Sequence, residues 1–296
     1  MGKWLLEFRE NGIFCPSGDF YIDPWRPVER ALITHGHSDH ARWGHRSYFC
    51  HVLSAPILRL RLGRDIQVQT AGYGETVYLN GVRVSLHPAG HIPGSAQIRV
   101  EQNGEVWVVA GDYKLHEDGI STPFEAVRCQ AFVTESTFGL PVYRWQPSAA
   151  IASEINQWWS ENRAAGKASV LTGYSLGKAQ RLLHLLDRGI GPVFVHPTVH
   201  FTNEAYREGG LRLQETPSWT GAEKSDFRGA MLVMPPGAAV PSALRKFEPY
   251  SIAHASGWMA LRGNKRRLAV DRGFVVSDHA DWTELNAAIE ATGASR

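Results

Sequence analysis

The sequence predicts an α/β chain of 296 residues in two unlike parts, a β-rich first part followed by a parallel strand-helix-strand unit. Three observations carry this. Short apolar or alternating runs separated by turn residues fill the first 135 positions. After Pro147 the period changes to that of amphipathic helices alternating with short strands, the order of a parallel sheet. A further strand and a capped helix close the chain.

In order, Ala31–Thr34 is an apolar run that leads into a histidine-rich loop, and Val82–Leu86 alternates. Ala96–Glu101 and Glu105–Ala110 flank Asn103-Gly104, a two-residue hairpin signal. Ala131–Thr134 is another short strand. Pro147-Ser148 opens a helix through Ile151, Ile155, Trp158 and Trp159 to about Gly166, a spacing that assigns both tryptophans to packing. Ser169–Thr172 and Pro192–Val195 bracket a helix that Ser175 can cap and that runs to Gly189. Gly229–Met234 and Phe274–Ser277 read as strands. Asp281-Trp282-Thr283-Glu284 has the form of a capping box for a last helix to about Ala291.

The composition is 43% hydrophobic and 20% charged, which excludes an unfolded chain. No apolar run nears the ~20 residues of a membrane helix, and the N-terminus lacks the apolar core of a signal peptide, so a cytoplasmic protein without membrane association is expected. Cys15, Cys50 and Cys129 are far apart and form no disulfide framework or thiolate metal motif. Arginine and lysine dominate residues 41–64 and 224–273, a distribution that suits a polyanion and equally a solvated face.

Five of the 13 histidines fall between His35 and His51. His35-Gly36-His37-Ser38-Asp39-His40 places three imidazoles and a carboxylate directly after a strand, more donors than one ion uses easily. Alternate residues can serve two ions, His35 and His37 one, Asp39 and His40 the other. His91 and Asp112 lie in strand-end loops, and a carboxylate such as Asp112 can bridge two cations.

These residues, with Gly111 before Asp112, resemble the metallo-β-lactamase superfamily, which implies a four-layer αββα sandwich with metals at one edge. Thr134-Glu135-Ser136-Thr137, Tyr174-Ser175-Leu176-Gly177-Lys178-Ala179-Gln180 and Ser277-Asp278-His279-Ala280-Asp281 resemble motifs of its β-CASP branch, nucleases of RNA processing and DNA repair. Ile13-Phe14-Cys15-Pro16, Ala255-Ser256-Gly257-Trp258-Met259 and the basic run ending at Val270-Asp271-Arg272-Gly273-Phe274 resemble the bacterial ligase-associated DNA exonucleases, whose genes accompany a helicase and an ATP-dependent DNA ligase. The likeness spans about Asp23 to Asp281.

The resemblance implies an α/β fold in which a metallo-β-lactamase domain of residues 1–138 and 274–296 is interrupted by a β-CASP-like cassette of residues 139–273. It implies His35, His37 and His91 as ligands of one divalent ion, Asp39 and His40 of a second, and Asp112 between them. Zinc is the first expectation, with manganese or iron as alternatives. The catalytic set is His279, Asp39 and Glu135, with His279 as general acid and Glu135 orienting it; Asp23 orients a ligand histidine. Ser175, Lys178, Trp258, Arg262 and Arg266 are candidate nucleic-acid contacts, together with Arg181, Lys265 and Arg267. The implied activity is phosphodiester hydrolysis as a DNA exonuclease on single strands in repair; the alternatives are an RNA-processing ribonuclease and, more distantly, a small-ester or thioester hydrolase. A histidine that completes the second site in the family has no match here, so either a further segment is missing or the second ion is held weakly. An unfilled sandwich edge with unpaired backbone groups beside the metals is expected, and His254 is assigned to packing.

Overall fold

The computed structural model describes residues 4–261, 263 and 268–296, so Arg262, Lys265, Arg266 and Arg267 lie outside the described residues. The first sheet runs in chain order through β1 (Glu7–Arg9), β2 (Gly12–Cys15), β3 (Phe20–Ile22), β4 (Arg30–Leu32), β5 (Ser47–His51) and β6 (Val68–Ala71), antiparallel up to β3 and parallel beyond it. The second has the order β11-β10-β9-β8-β7, from β7 (Thr76–Leu79), β8 (Val82–Pro88), β9 (Ala96–Gln102), β10 (Glu105–Val109) and β11 (Ala131–Val133). Asn103-Gly104 does turn β9 into β10, and Asn80-Gly81 turns β7 into β8; all four residues have positive φ, which suits the right-handed twist of a hairpin.

The two sheets face one another. Leu32, Phe49 and Ala71 of the first pack with Val84, Leu86, Ile98, Val100 and Trp107 of the second in one buried cluster. The outer face of the first sheet is covered by α1 (Ala55–Leu62), where Ala55 and Leu58 meet Ala31, Tyr48 and Cys50. The outer face of the second is covered by the last helix, which buries Leu285 and Ala288 against Val106, Val108 and Phe132. The layers are therefore helix, sheet, sheet, helix. Each large apolar side chain taken from water contributes roughly 1.5–3 kcal/mol, and alternation along β8 puts Val82, Val84 and Leu86 on the shared face.

A third, wholly parallel sheet has the order β13-β14-β12-β15-β16, from β12 (Ala168–Thr172), β13 (Val193–Val195), β14 (Met231–Met234), β15 (Tyr250–Ala255) and β16 (Arg272–Phe274). One face packs on α2 (Ser148–Ala164), α3 (Lys178–Leu185) and α4 (Pro197–Glu208), with Trp158 and Trp159 in that core as expected. The other packs on Trp219, Phe227 and Phe247, with Leu244 of the short α5 (Pro241–Leu244).

Three expectations are corrected and one holds. Ser175 does not cap α3: Gly177 does, with its backbone N–H donating to Gln180 Oε1, so the helix starts later. The strand expected at Phe274–Ser277 is Arg272–Phe274, and Val276–Ser277 lead into a loop with their carbonyls bonded to Lys178 and Arg181 of α3. The last helix, α6 (Trp282–Thr292), carries the expected box, Asp281 accepting from the N–H groups of Thr283 and Glu284. After it, Arg296 donates its N–H to Gln130 and accepts from Phe132, so the sandwich edge expected to be bare is paired at β11. Among the described residues no helix is long and apolar enough to cross a membrane.

Candidate metal centre

The parallel pairing of β3 with β4 brings Asp23 beside Thr34 and the histidines that follow it. Asp23 accepts from the Thr34 N–H at 2.8 Å and from its hydroxyl at 2.6 Å, which fixes the start of the loop. Two glycines allow close approach. A Cβ on Gly36 would lie 2.7 Å from Ile57, and one on Gly111, whose φ is +60, would lie 2.6 Å from the Thr34 hydroxyl. Asp112 follows Gly111 past the end of β10, and His91 follows a turn past the end of β8.

In each histidine one ring nitrogen is engaged and the other is turned toward a common point. His91 Nδ1 donates to the Asp278 carbonyl at 2.6 Å, His37 Nε2 to the Leu176 carbonyl at 3.1 Å, and His40 Nδ1 lies 2.7 Å from Asp23 Oδ2. His37 Nδ1 is then 3.0 Å from His35 Nε2 and 3.1 Å from His91 Nε2. Asp112 Oδ2 lies 3.5 Å from both His35 Nε2 and His40 Nε2, and 3.7 Å from His91 Nε2. His35, His37, His91 and Asp112 form one group whose donor atoms all lie within 4.8 Å of one another, and Asp39, His40 and Asp112 form a second.

This donor set fits divalent cations. Two nitrogens on one tetrahedral ion at about 2.0–2.1 Å lie about 3.3 Å apart, close to the spacings here. Burial lowers the pKa of His35, His37 and His91, which keeps the rings neutral, the state that binds a metal. Burial also opposes charge on His40, but Asp23 and Asp112 outweigh it and lift its pKa to about 11: the second pocket favours a positive charge, which a cation supplies in place of the proton. Burial likewise opposes charge on Asp112, yet the hydrogen bond from His40 and the surrounding rings hold it well below the usual carboxylate range.

His279 borders this cluster. Its Nδ1 is 2.9 Å from Glu135 Oε2 and 3.9 Å from Asp112, and Glu135 is itself held by the Tyr113 N–H at 2.8 Å. Burial disfavours the imidazolium, but Glu135 and Asp112 prevail and raise its pKa. Trp145 donates to the His279 carbonyl at 2.8 Å. His37, Asp39, His91 and Asp112 of this cluster, with His279, Phe138, Tyr174, Lys178 and Trp258, line one cavity of about 530 Å³ between the sandwich and the third sheet.

The remaining candidates divide. Trp258 is 46% exposed and lies against Phe138, centroids 4.8 Å apart, at the cavity wall. Ser175 lies beside it, in a neighbouring groove that shares His37 and Tyr174. Lys178 reaches the cavity, but its ammonium is 2.9 Å from Asp278 Oδ2 and donates to the Val276 carbonyl, and burial lowers its pKa to about 8. Arg181 is fully buried against Asp278 and the Ser277 carbonyl. His254 bonds to Thr172 on the adjacent strand and joins none of the donor groups among the described residues. Sequence reasoning gave no role to Asp278, although it stands inside the Ser277–Asp281 motif; its carboxylate anchors α3 and its carbonyl orients His91. It also missed Phe138 and Trp145, which sit in loops without periodicity.

No family model matches the chain. A protein of Opitutus terrae named "Probable DNA ligase" is 31% identical over 296 residues, 99% of this chain and 28% of that protein. "Endoribonuclease ysh1" of Aspergillus fumigatus is 30% identical over 125 residues, 40% of this chain and 14% of that protein. The alignments support the superfamily and branch that the motifs imply. The chain spans less than a third of the length of either relative. A crystal structure of a protein of unknown function from Enterococcus faecalis shares the fold, with a TM-score of 0.60 at 11% identity over 90% of this chain and 73% of the other.

Proposed function

We propose that this chain is a metal-dependent phosphodiesterase that acts on nucleic acid, as a DNA exonuclease on single strands in repair. The observation that carries the reading is the convergence of neutral imidazoles and Asp39 on Asp112, with the His279–Glu135 pair on the same cavity. Alignment over nearly the whole chain with a protein named as a probable DNA ligase supports DNA as substrate and a functional link to a ligase. The endoribonuclease relative supports RNA as the second reading.

Two divalent ions, zinc in the first instance, would supply Lewis acidity to the phosphoryl oxygens and activate a water. His35, His37, His91, Asp39, His40 and Asp112 would hold them, and Asp23 keeps the His40 ring turned toward Asp112. Glu135 takes the Nδ1 proton of His279 as a hydrogen bond, so Nε2 is the nitrogen that releases a proton to the leaving oxygen. Glu135 and Asp112 raise the pKa of His279, which favours the protonated ring that a proton donor needs. The cavity of about 530 Å³ has aromatic walls at Phe138, Tyr174 and Trp258, which suits the unstacked bases of a single strand.

Digestion of end-labelled single- and double-stranded DNA and RNA across a divalent metal series tests the proposal. Stepwise shortening of single-stranded DNA is expected. Cleavage of RNA alone would transfer the reading to a ribonuclease, and no cleavage with any metal would overturn it.

A further inference from the structure

At the end of α3 remote from Lys178, the structure holds a second, smaller cavity of about 90 Å³. Arg188, Arg212, His184, Gln180 and Asn203 line it from the third-sheet part, and Ile120 lines it from the sandwich. Among the described residues no aspartate or glutamate does. Arg188 is half-buried and donates from Nη2 to Thr216 at 2.9 Å, while its buried Nε has no partner. Burial alone acts on its pKa, with no carboxylate to offset the cost of its charge. Asn203 is 1% exposed; its Oδ1 accepts from Gln180 at 2.8 Å and its Nδ2 has no partner.

Both unpaired donors have almost no accessible surface and lie behind the cavity wall, so what the cavity itself presents is two arginine side chains with no carboxylate to offset their charge. Two arginines lining one space match a tetrahedral oxyanion, with several acceptor oxygens for guanidinium N–H groups. The volume is far below the ~300 Å³ at which pockets for larger organic ligands begin, so the occupant is small. We propose that this cavity is a binding site for a phosphate-sized oxyanion held by Arg188 and Arg212, separate from the cluster of cation donors. A Cβ on Gly119 would lie 2.4 Å from His184, so the sandwich loop at Gly119 and Ile120 packs against the same wall, and an anion there ties the two parts of the chain together.

Free inorganic phosphate and the backbone phosphate of a nucleic acid share this chemistry. Calorimetric titration of the full chain at fixed ionic strength, once with inorganic phosphate and once with dimethyl phosphate, separates them, because only the second carries the diester of a polynucleotide. Arg188→Gln is expected to weaken binding at least tenfold, Arg188→Lys to restore part of it, and His37→Ala, which disrupts the metal cluster, to leave it unchanged. Binding of inorganic phosphate alone assigns the site to free phosphate, and equal binding of the diester assigns it to a nucleic-acid strand. Absence of binding to the wild type, equal affinity of Arg188→Gln and the wild type, or loss of binding in His37→Ala would each overturn the proposal.

Discussion

Replacing Asp278 by asparagine tests the joint between α3 and the segment that carries His279. Asp278 is 4% exposed and faces Lys178 and Arg181, 5% and 1% exposed, at 2.9 and 3.4 Å. The nearby Lys114 has its own partner, Asp118 at 2.7 Å. Asp278→Asn therefore removes one negative charge from between two buried positive ones. Breaking a buried pair in this way costs about 3–5 kcal/mol, and at roughly 2 °C per kcal/mol for a chain of this size the melting midpoint should fall by about 6–10 °C. Lys178→Met in the same background removes one of the stranded cations and should recover about half of the loss. Thermal unfolding followed by circular dichroism reads both. An Asp278→Asn midpoint within 1 °C of the wild type, or a further drop on adding Lys178→Met, would refute the claim that this network clamps the segment.

Three other expectations follow from the geometry. Asp112→Ala, and His37→Ala likewise, should reduce bound metal and remove nearly all cleavage; metal analysis with a nuclease assay checks both. His279→Ala should keep its metal and slow cleavage of an oligonucleotide by roughly 10²–10⁴-fold, with a smaller defect on a nitrophenyl phosphodiester whose leaving group needs little protonation; equal defects on the two substrates would show that His279 positions phosphate instead. His45 and His51 are buried and their pKa values fall to about 4, so between about pH 6.5 and 4 the unfolded chain binds more protons than the folded one, and stability drops as pH falls. Each ring contributes up to about 3 kcal/mol of that loss, and urea unfolding of His51→Phe should show a shallower decline between pH 7 and 4.5.

What the sequence revealed follows the range of each interaction. Strong local signals, such as the Asn103-Gly104 turn, the Asp281 capping box and the amphipathic register through Trp159, predicted their elements within a few residues. The parallel strands β5 and β15 were missed: Ser47–His51 sits in a histidine-rich stretch and Tyr250–Ala255 carries His254, and only pairing with neighbours distant in the chain makes them strands. The dense histidines drew attention to the right loop, but His45 and His51 turn into the core, His51 stacked on Tyr73 at 3.7 Å. Spacing can name donors; it cannot tell which ring nitrogen is free. That is decided by Asp23 and by the carbonyls of Leu176 and Asp278, the last two remote in sequence from the rings they orient. Lys178 and Arg181 at a helix start invite a phosphate in one dimension, and in three they face Asp278.

The clamp on Asp278 also bears on synthesis. A ribosome delivers His35, His37, His91 and Asp112 well before His279, and the whole third-sheet region emerges in between. A nascent chain can thus gather most of its cation donors while it still has no proton donor and no α3-held anchor for one. The carbonyl that orients His91 and the His279 ring then arrive together, when the segment after β16 docks on Lys178 and Arg181, so the donor cluster and its neighbouring imidazole are completed late and in one step.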